Sequence, residues 1–321
     1  MATAHVNRRR PLDVVVAGLA VVDVIGRPVH ISRLPRPGSL HYLDTIMLTT
    51  GGNVLNCGVD LVKLGFRVGA ITRVGDDGLG QYLRSQFSRY GINAQRVIVD
   101  RKRQTSATIV CVDPTGERTF YHTRGCLENF RASDVLDSLD LVRKARMFVF
   151  GYLGLLPEIG PEMGKLFAAI KRATGVSILL DTGGTPTRSP RLLRSVLPHV
   201  DYFLPSFEEA AALTGATAPR TMVESFRSSG AKGVVGVKLG AKGCYVSSQD
   251  RQELIPPPKV KKVVDATGAG DAFVSGFLAG TLTGLDPFGA ARIGNAVAAS
   301  CVTAVGASTA IQPLQSYLSK Q

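Results

Sequence analysis

The chain has 321 residues, a length that open α/β sheets often fill as one core with a small appendage. Hydrophobic residues make up 45% and charged residues 20%, which excludes a disordered chain and permits a sizeable buried core. The formal net charge of +13 raises the question of nucleic acid, but outside Arg8 to Arg10, Arg101 to Arg103 and Lys259 to Lys262 the basic residues are scattered and there is no Trp. An anionic nucleotide or a phosphorylated ligand accounts for that positive field, and no nucleic-acid partner is expected.

Five cysteines, Cys57, Cys111, Cys126, Cys244 and Cys301, lie far apart without a CxxC pair, which argues against a zinc site or a disulfide framework and fits a reducing cytoplasm. Arg8 to Arg10 followed by Val14 to Val22 superficially resembles an export signal. Asp13 and Asp23 bracket that apolar run, however, and it reads better as a buried first strand. No apolar stretch approaches the roughly 20 residues needed to span a bilayer, so no membrane partner is expected.

After that strand, helical and strand-like patterns alternate: Gly52 to Leu64, Val68 to Thr72, Leu79 to Tyr90, Met147 to Gly151, Met163 to Arg172, Ser177 to Asp181 and Arg191 to Leu197. The rhythm continues through Tyr202 to Leu204, Phe207 to Thr214, Gly233 to Lys238 and a helical finish from Ala269 to Val305. Such a β-α-β order predicts a three-layer α/β/α fold with a mostly parallel sheet, and a binding site at the carboxyl ends of its strands. Two segments interrupt it, Arg27 to Thr49 and Ser106 to Arg124. In the second, β-formers at Ala107 to Val112 and Arg118 to His122 flank a turn at Asp113 to Gly116. The expected division is a core of residues 1–26, 50–105 and 125–321, with 27–49 and 106–124 forming a small β lid. Pro256 to Pro258 marks an extended connection.

The strongest chemical signal is Asp265-Ala-Thr-Gly-Ala-Gly-Asp-Ala-Phe273, a glycine-rich turn running into a helix. At Gly268, Ala269 and Gly270 side chains are small or absent, so backbone N–H groups and the helix dipole can converge on one anion, such as a transferring phosphoryl group. Asp271 enters on the same side, where a carboxylate can accept the proton of an attacking hydroxyl. A plain tight turn with Asp271 as a helix cap is the competing reading. No Walker A sequence occurs, and Gly268 to Phe273 does not fit GxGxxG.

Asp265 to Phe273 resembles the C-terminal motif of the ribokinase-like, phosphofructokinase B family of sugar kinases. Gly51-Gly-Asn-Val-Leu-Asn-Cys-Gly-Val-Asp-Leu-Val-Lys-Leu-Gly65, followed by Val74 to Gly80, is similar to the N-terminal motif. Gly18 to Asp23, Pro205 to Gly215 and Lys238 to Gly243 extend the resemblance over nearly the whole chain, in the right order. It implies a ribokinase-like fold with a β lid, an ATP-dependent kinase acting on a sugar-like alcohol, and ATP and Mg2+ as cofactors, with a monovalent cation such as K+ a further candidate. It also implies that Asp23, Gly51, Gly52, Asn53 and Asn56 bind substrate, with Arg124 a candidate for an anionic group on a phosphorylated sugar. Lys238, Gly240, Asn295 and Ser308, in the Gly306 to Ser308 segment, would surround the nucleotide, and Glu209 and Ser206 would lie near the metal.

Three departures from the family pattern bear on the substrate and the metal. Ser206-Phe-Glu-Glu209 stands where many members have N-x-x-E, Asp181 to Arg188 replaces a D-P-N-like run, and Val21 stands where ribokinases proper carry Asn. A nucleoside kinase of the same family and a non-catalytic sugar-binding regulator are the alternative readings. The lid's apolar residues, among them Leu43, Ile46, Leu48, Ile109 and Cys111, suggest a homodimer formed through the lid.

Overall fold

Val14 to Ala17 and Met147 to Phe150 are buried at every position, as strands covered on both faces must be. The computed structural model describes residues 10–30, 36–184 and 189–319. Arg8 and Arg9, part of the first lid segment (31–35) and the end of the Asp181 to Arg188 run (185–188) lie outside the described residues. The first half of the chain supplies β1 (Val14–Ala17), β2 (Val21–Arg27), β3 (Thr45–Gly51), α1 (Asn53–Lys63), β4 (Val68–Gly75), α2 (Gly78–Arg89), β5 (Asn93–Asp100), β6 (Ala107–Val112), β7 (Arg118–Thr123), α3 (Ala132–Leu136), α4 (Leu139–Val142) and β8 (Met147–Phe150). The second half supplies α5 (Met163–Thr174), β9 (Ser177–Leu180), α6 (Pro190–Val196), β10 (Tyr202–Phe203), α7 (Phe207–Thr214), α8 (Pro219–Ser228), β11 (Val234–Lys238), β12 (Cys244–Ser248), β13 (Arg251–Ile255), α9 (Ala269–Leu282), α10 (Pro287–Cys301) and α11 (Gln315–Leu318).

The large sheet runs β13-β12-β11-β10-β9-β8-β1-β4-β5 and is parallel from β11 to β5, with β12 and β13 antiparallel at one edge. Side chains alternate between two cores. Val15, Phe148, Phe150 and Leu180 pack with Phe167 of α5 and Phe226 of α8, whereas Val14, Val16, Val149 and Leu179 pack with Leu55 of α1 and Phe277 of α9. The expected rhythm therefore stands as three layers. Among the described residues no helix is long and apolar enough to cross a membrane.

Two expectations are corrected. The apolar run from Asp13 to Val22 is two strands: the chain turns at Gly18, so β1 stays in the large sheet while β2 joins a small one, and the lid begins at Val21 rather than Arg27. The helical finish is likewise interrupted between Leu282 and Pro287, and it ends at Cys301, so that residues 302–308 form a loop.

The small sheet has the order β3-β2-β6-β7. Its outer pairs are antiparallel, but β2 and β6, the first strand of each inserted segment, run parallel. β2 follows β1 and β6 follows β5, so both leave the large sheet from the carboxyl ends of parallel strands. The register places Thr49, Asp23, Thr108 and His122 in one row across the sheet, and Leu48, Val24, Ile109 and Tyr121 in a row on the opposite face.

Candidate active site

From β1 the chain moves to β4 and β5 on one side and later to β8 through β11 on the other, so the strand order switches between β1 and β8. Open α/β sheets bind ligands outside the strand ends at such a switch. Asn53 sits there, at the start of α1. Its Nδ2 donates to Ala17 O at 2.9 Å and its Oδ1 accepts from Leu19 N at 2.9 Å. Each polar end thus bonds the backbone leaving β1, so Asn53 braces that turn, with its second N–H and second lone pair outside these two bonds. Gly52 takes the N-cap position of α1, and Gly51 makes room for Asp23, since a Cβ on it would lie 2.4 Å from Asp23 Oδ2. Asp23 projects from β2 on the face shared with Thr108 and His122, whose side chains lie 3.1 Å apart. Burial pushes its carboxyl up to about 6, against the Thr108 hydroxyl bond and the charge of Arg118.

Asp271, in the first turn of α9, is 3% exposed. Asn56 Nδ2 donates to its Oδ2 at 2.8 Å and Tyr152 Oη donates to the same oxygen at 3.1 Å, while the Cys57 thiol lies 3.6 Å from Oδ1. Burial raises the carboxyl above its ordinary value, and Asn56, Lys238 and Tyr152 pull it back by favouring the charged form. Asn56 therefore supports Asp271 through one of its two amide N–H groups.

The helix start has free backbone N–H groups at two of its first positions. Ala269 N already donates to Ala266 O at 3.2 Å, whereas the N–H groups of Gly270 and Asp271 have no helical or side-chain acceptor among the described residues. Gly268 adopts φ +74° and packs so closely on the 302–308 loop that a Cβ would fall 2.3 Å from Ala307 Cβ. A Cβ on Gly270 would point toward the Lys238 ammonium, 3.5 Å from its Nζ. Lys238, the last residue of β11, is held by Asp181 at 2.7 Å and 2.8 Å. Burial disfavours the ammonium, yet Asp181, Glu209 and Asp271 together outweigh that cost and raise the Lys238 pKa. Asp181 is itself shifted upward, by burial and by its carboxylate neighbours.

These groups share one cavity of about 830 Å³. Its wall includes Lys238, Gly240, Ser206, Glu209 and the Gly268 to Asp271 turn, together with Asn295. The Asn295 amide is tied to Ile255 O at 2.9 Å, and Ser308 does not line the cavity; its carbonyl accepts from Lys63 Nζ at 2.6 Å. Ser206 and Glu209 form a capping box on α7: Ser206 N donates to Glu209 Oε2 at 2.8 Å and Glu209 N donates to Ser206 Oγ at 3.2 Å. Thr182 Oγ1 donates to the same Glu209 oxygen at 2.6 Å. The hard oxygen donors of Glu209 and Asp181 fit Mg2+, which needs few protein ligands when a triphosphate and water supply the rest. Ser206 serves the cap, so the missing amide of the family pattern is replaced by a helix brace.

Arg124 lies elsewhere, in a second cleft of about 570 Å³ with Arg103, His122 and Leu155. The clefts are joined by one short turn, since Leu155 N donates to Tyr152 O at 3.0 Å and Tyr152 lines the larger cavity. Sequence reasoning did not assign Tyr152, Asp181 or Arg118, whose guanidinium lies 2.6 Å from Asp265 Oδ1. A carboxylate and a lysine closing predicted strands were the available signals for Asp181 and its partner; nothing local marked Tyr152.

A doubly covered parallel sheet, a small β lid and an open helix start beside a buried carboxylate define a small-molecule kinase. The family model described as pfkB family carbohydrate kinase matches residues 11–313. The 2-dehydro-3-deoxygluconokinase of Bacillus subtilis is 27% identical over 302 residues, covering 88% of this chain and 91% of that one. A ribokinase of Arabidopsis thaliana is 30% identical over 322 residues, covering 95% and 79%. The structure of Arabidopsis thaliana ribokinase complexed with ribose and ATP superposes with a TM-score of 0.83 at 26% identity, covering 96% of this chain and 98% of that one. The chain belongs to the pfkB family of carbohydrate kinases, with a ribokinase-like fold, and is an ATP-dependent carbohydrate kinase.

Because its Oδ1 is the acceptor for the buried Leu19 N–H, while Ala17 O also accepts from Gly151 N at 3.3 Å, Asn53→Ala should lower unfolding stability by about 1–3 kcal/mol, the cost of one orphaned buried group. Urea unfolding checks this; a variant of native stability would show that Asn53 does not brace the turn after β1.

Proposed function

We propose that the protein transfers the γ-phosphoryl group of ATP to a hydroxyl of a sugar or sugar-like molecule by direct in-line displacement, with Asp271 as general base. The observation carrying this reading is the juxtaposition of the open Gly270 and Asp271 N–H groups, the Lys238 ammonium and the buried Asp271 carboxylate. As the alcohol oxygen attacks the γ-phosphorus, its proton passes to Asp271, the bond to ADP breaks, and the leaving charge stays on ADP. The helix-start amides and Lys238 stabilise charge on the transferring group, and the lid excludes water. Asp23 accepts hydrogen bonds from substrate hydroxyls, with Gly51 and Gly52 shaping that end of the pocket. Gly240 and Asn295 border the nucleotide. Mg2+, when bound, neutralises phosphate charge next to Glu209.

The second cleft favours a narrower version. Arg103 is paired with Glu128, the one carboxylate lining it, which, among the described residues, leaves the Arg124 guanidinium unmatched beside His122, as suits an anionic sugar such as an acid or a phosphorylated sugar. One relative above carries the name of a kinase for a sugar acid. All five cysteines are free, in keeping with a cytoplasmic setting.

Measuring ATP consumption and product formation with sugars, sugar acids, sugar phosphates and nucleosides tests the activity. Asp271→Asn should lower kcat on the accepted substrate at least about a hundredfold while ATP affinity changes only several-fold, because general-base work contributes roughly 10²–10⁴. Turnover within about tenfold of the wild type would remove Asp271 from the role of base.

Asp271 must be ionised to take a proton, so activity should rise with pH through its elevated pKa. Asn56 favours the ionised form; Asn56→Ala should therefore raise that pKa further and move the acid limb of kcat/KM to higher pH. A pH profile lowered uniformly, with no displacement of the limb, would contradict this coupling.

The outer lid face exposes Ile46, Leu48, Ile109 and Tyr121, with Ile46 71% and Tyr121 56% accessible. Covering such a sheet with its own copy yields a homodimer. Sedimentation should give twice the chain mass for the wild type and a monomer for Ile46→Asp/Ile109→Asp; a monomeric wild type rules the dimer out.

A further inference from the structure

Arg118 opens β7 at the end of the lid hairpin farthest from its joints with the core. The turn before it is fixed by Asp113, whose Oδ1 accepts from Thr115 N at 2.8 Å and Glu117 N at 2.9 Å. The ion pair of Arg118 with Asp265 is the only one among the described residues that joins the lid strands to the core. Asp265 is not an ordinary surface partner, for its side chain is only 3% exposed. Its Oδ1 also accepts from Thr267 N at 2.7 Å, and its Oδ2 accepts from Gly306 N at 2.9 Å. Those two amides belong to the two segments that build the anion site: Thr267 precedes Gly268, and Gly306 precedes Ala307, which packs against Gly268. One carboxylate thus clamps both walls of the phosphoryl-binding turn, and the cation on that carboxylate comes from the lid.

We infer that Arg118 is a positioning residue that couples lid closure to the phosphoryl-transfer turn: with the lid down its guanidinium neutralises Asp265 and fixes residues 265–271 in their anion-accepting form. With the lid raised, Asp265 is a buried charge without its cation, a costly state that loosens the clamp. The anion site is then fully formed only over a closed pocket, which disfavours transfer to water when no sugar is present. This inference rests on the kinase reading above, but its physical core, the coupling of Arg118 to residues 265–271, can be measured without turnover.

The test compares the full-length wild type with Arg118→Ala, Arg118→Lys, Asp265→Asn and the double variant Arg118→Ala/Asp265→Asn. On the substrate the wild type accepts, Arg118→Ala should lower kcat by about tenfold to a hundredfold and raise the share of ATP hydrolysed without sugar phosphate, since small misplacements at a reacting centre carry penalties of that order. Arg118→Lys should recover part of the loss, and the double variant should be no worse than the worse single one, as expected for residues acting through one contact. A rise in sugar KM alone, with kcat and coupling intact, would reduce Arg118 to a lid anchor and overturn the inference. Independently of activity, amide hydrogen exchange in peptides covering 265–271 and 302–308 should quicken in Arg118→Ala while the large sheet stays protected. Unchanged exchange there overturns the inference. If exchange quickens but no compound is phosphorylated by the wild type, the coupling stands and the kinase reading falls.

Discussion

Lys238 is the buried cation against which three carboxylates, Asp181, Glu209 and Asp271, are arranged, and the site depends on that imbalance. Burying each of these charges is costly unless something answers it. Asp181 holds the ammonium directly, with both oxygens on Nζ. Asp271 has no such contact; it is supported by neutral donors, the Asn56 amide and the Tyr152 hydroxyl. Burial dominates at both carboxyls and raises their proton affinity, against the Lys238 ammonium at Asp181 and against Asn56, Lys238 and Tyr152 at Asp271. The elements that meet there, α1, β11, α9 and the turn after β8, come from all parts of the chain, so the sheet's task is to bring these charges within reach of one another.

Much of this was readable in the sequence, for definite reasons. Strands buried on both faces have to be apolar throughout, which made Met147 to Phe150 and Val234 to Lys238 stand out between helical patterns. The Asp265 to Asp271 turn was legible because a tight entry into a helix at positive φ and in close contact with another loop leaves little choice but glycine at Gly268. By contrast, Asn93–Asp100 and the edge pair Cys244–Ser248 and Arg251–Ile255 are only partly buried and carry mixed residues, so no period marked them. The break at Gly18 was hidden by apolar residues on both sides, and this concealed the assignment of Asp23 to the small sheet.

The two asparagines of α1 show a different limit. Residue type states what an amide can bond, not which partner the fold will offer. Asn53 meets the backbone leaving β1, and Asn56, one turn along, meets a carboxylate brought from a distant part of the chain. Similarly, Ser206 and Glu209 announced a metal region by position, while their geometry is that of a capping box that also steadies Thr182.

The parallel pairing of β2 with β6 has a consequence for how the molecule assembles. These strands are far apart in sequence and adjoin because both emerge from the same end of the large sheet. Their register, Val22 against Ala107 onward, is expected to be set after β1, β4 and β5 have aligned, since loop closure over that span is otherwise uncompensated. The small sheet is therefore expected to form late in folding, and with one face uncovered it should open locally at lower cost than the doubly covered large sheet. The same uncovered face makes the small sheet cheaper to displace than the large sheet, which is packed on both sides.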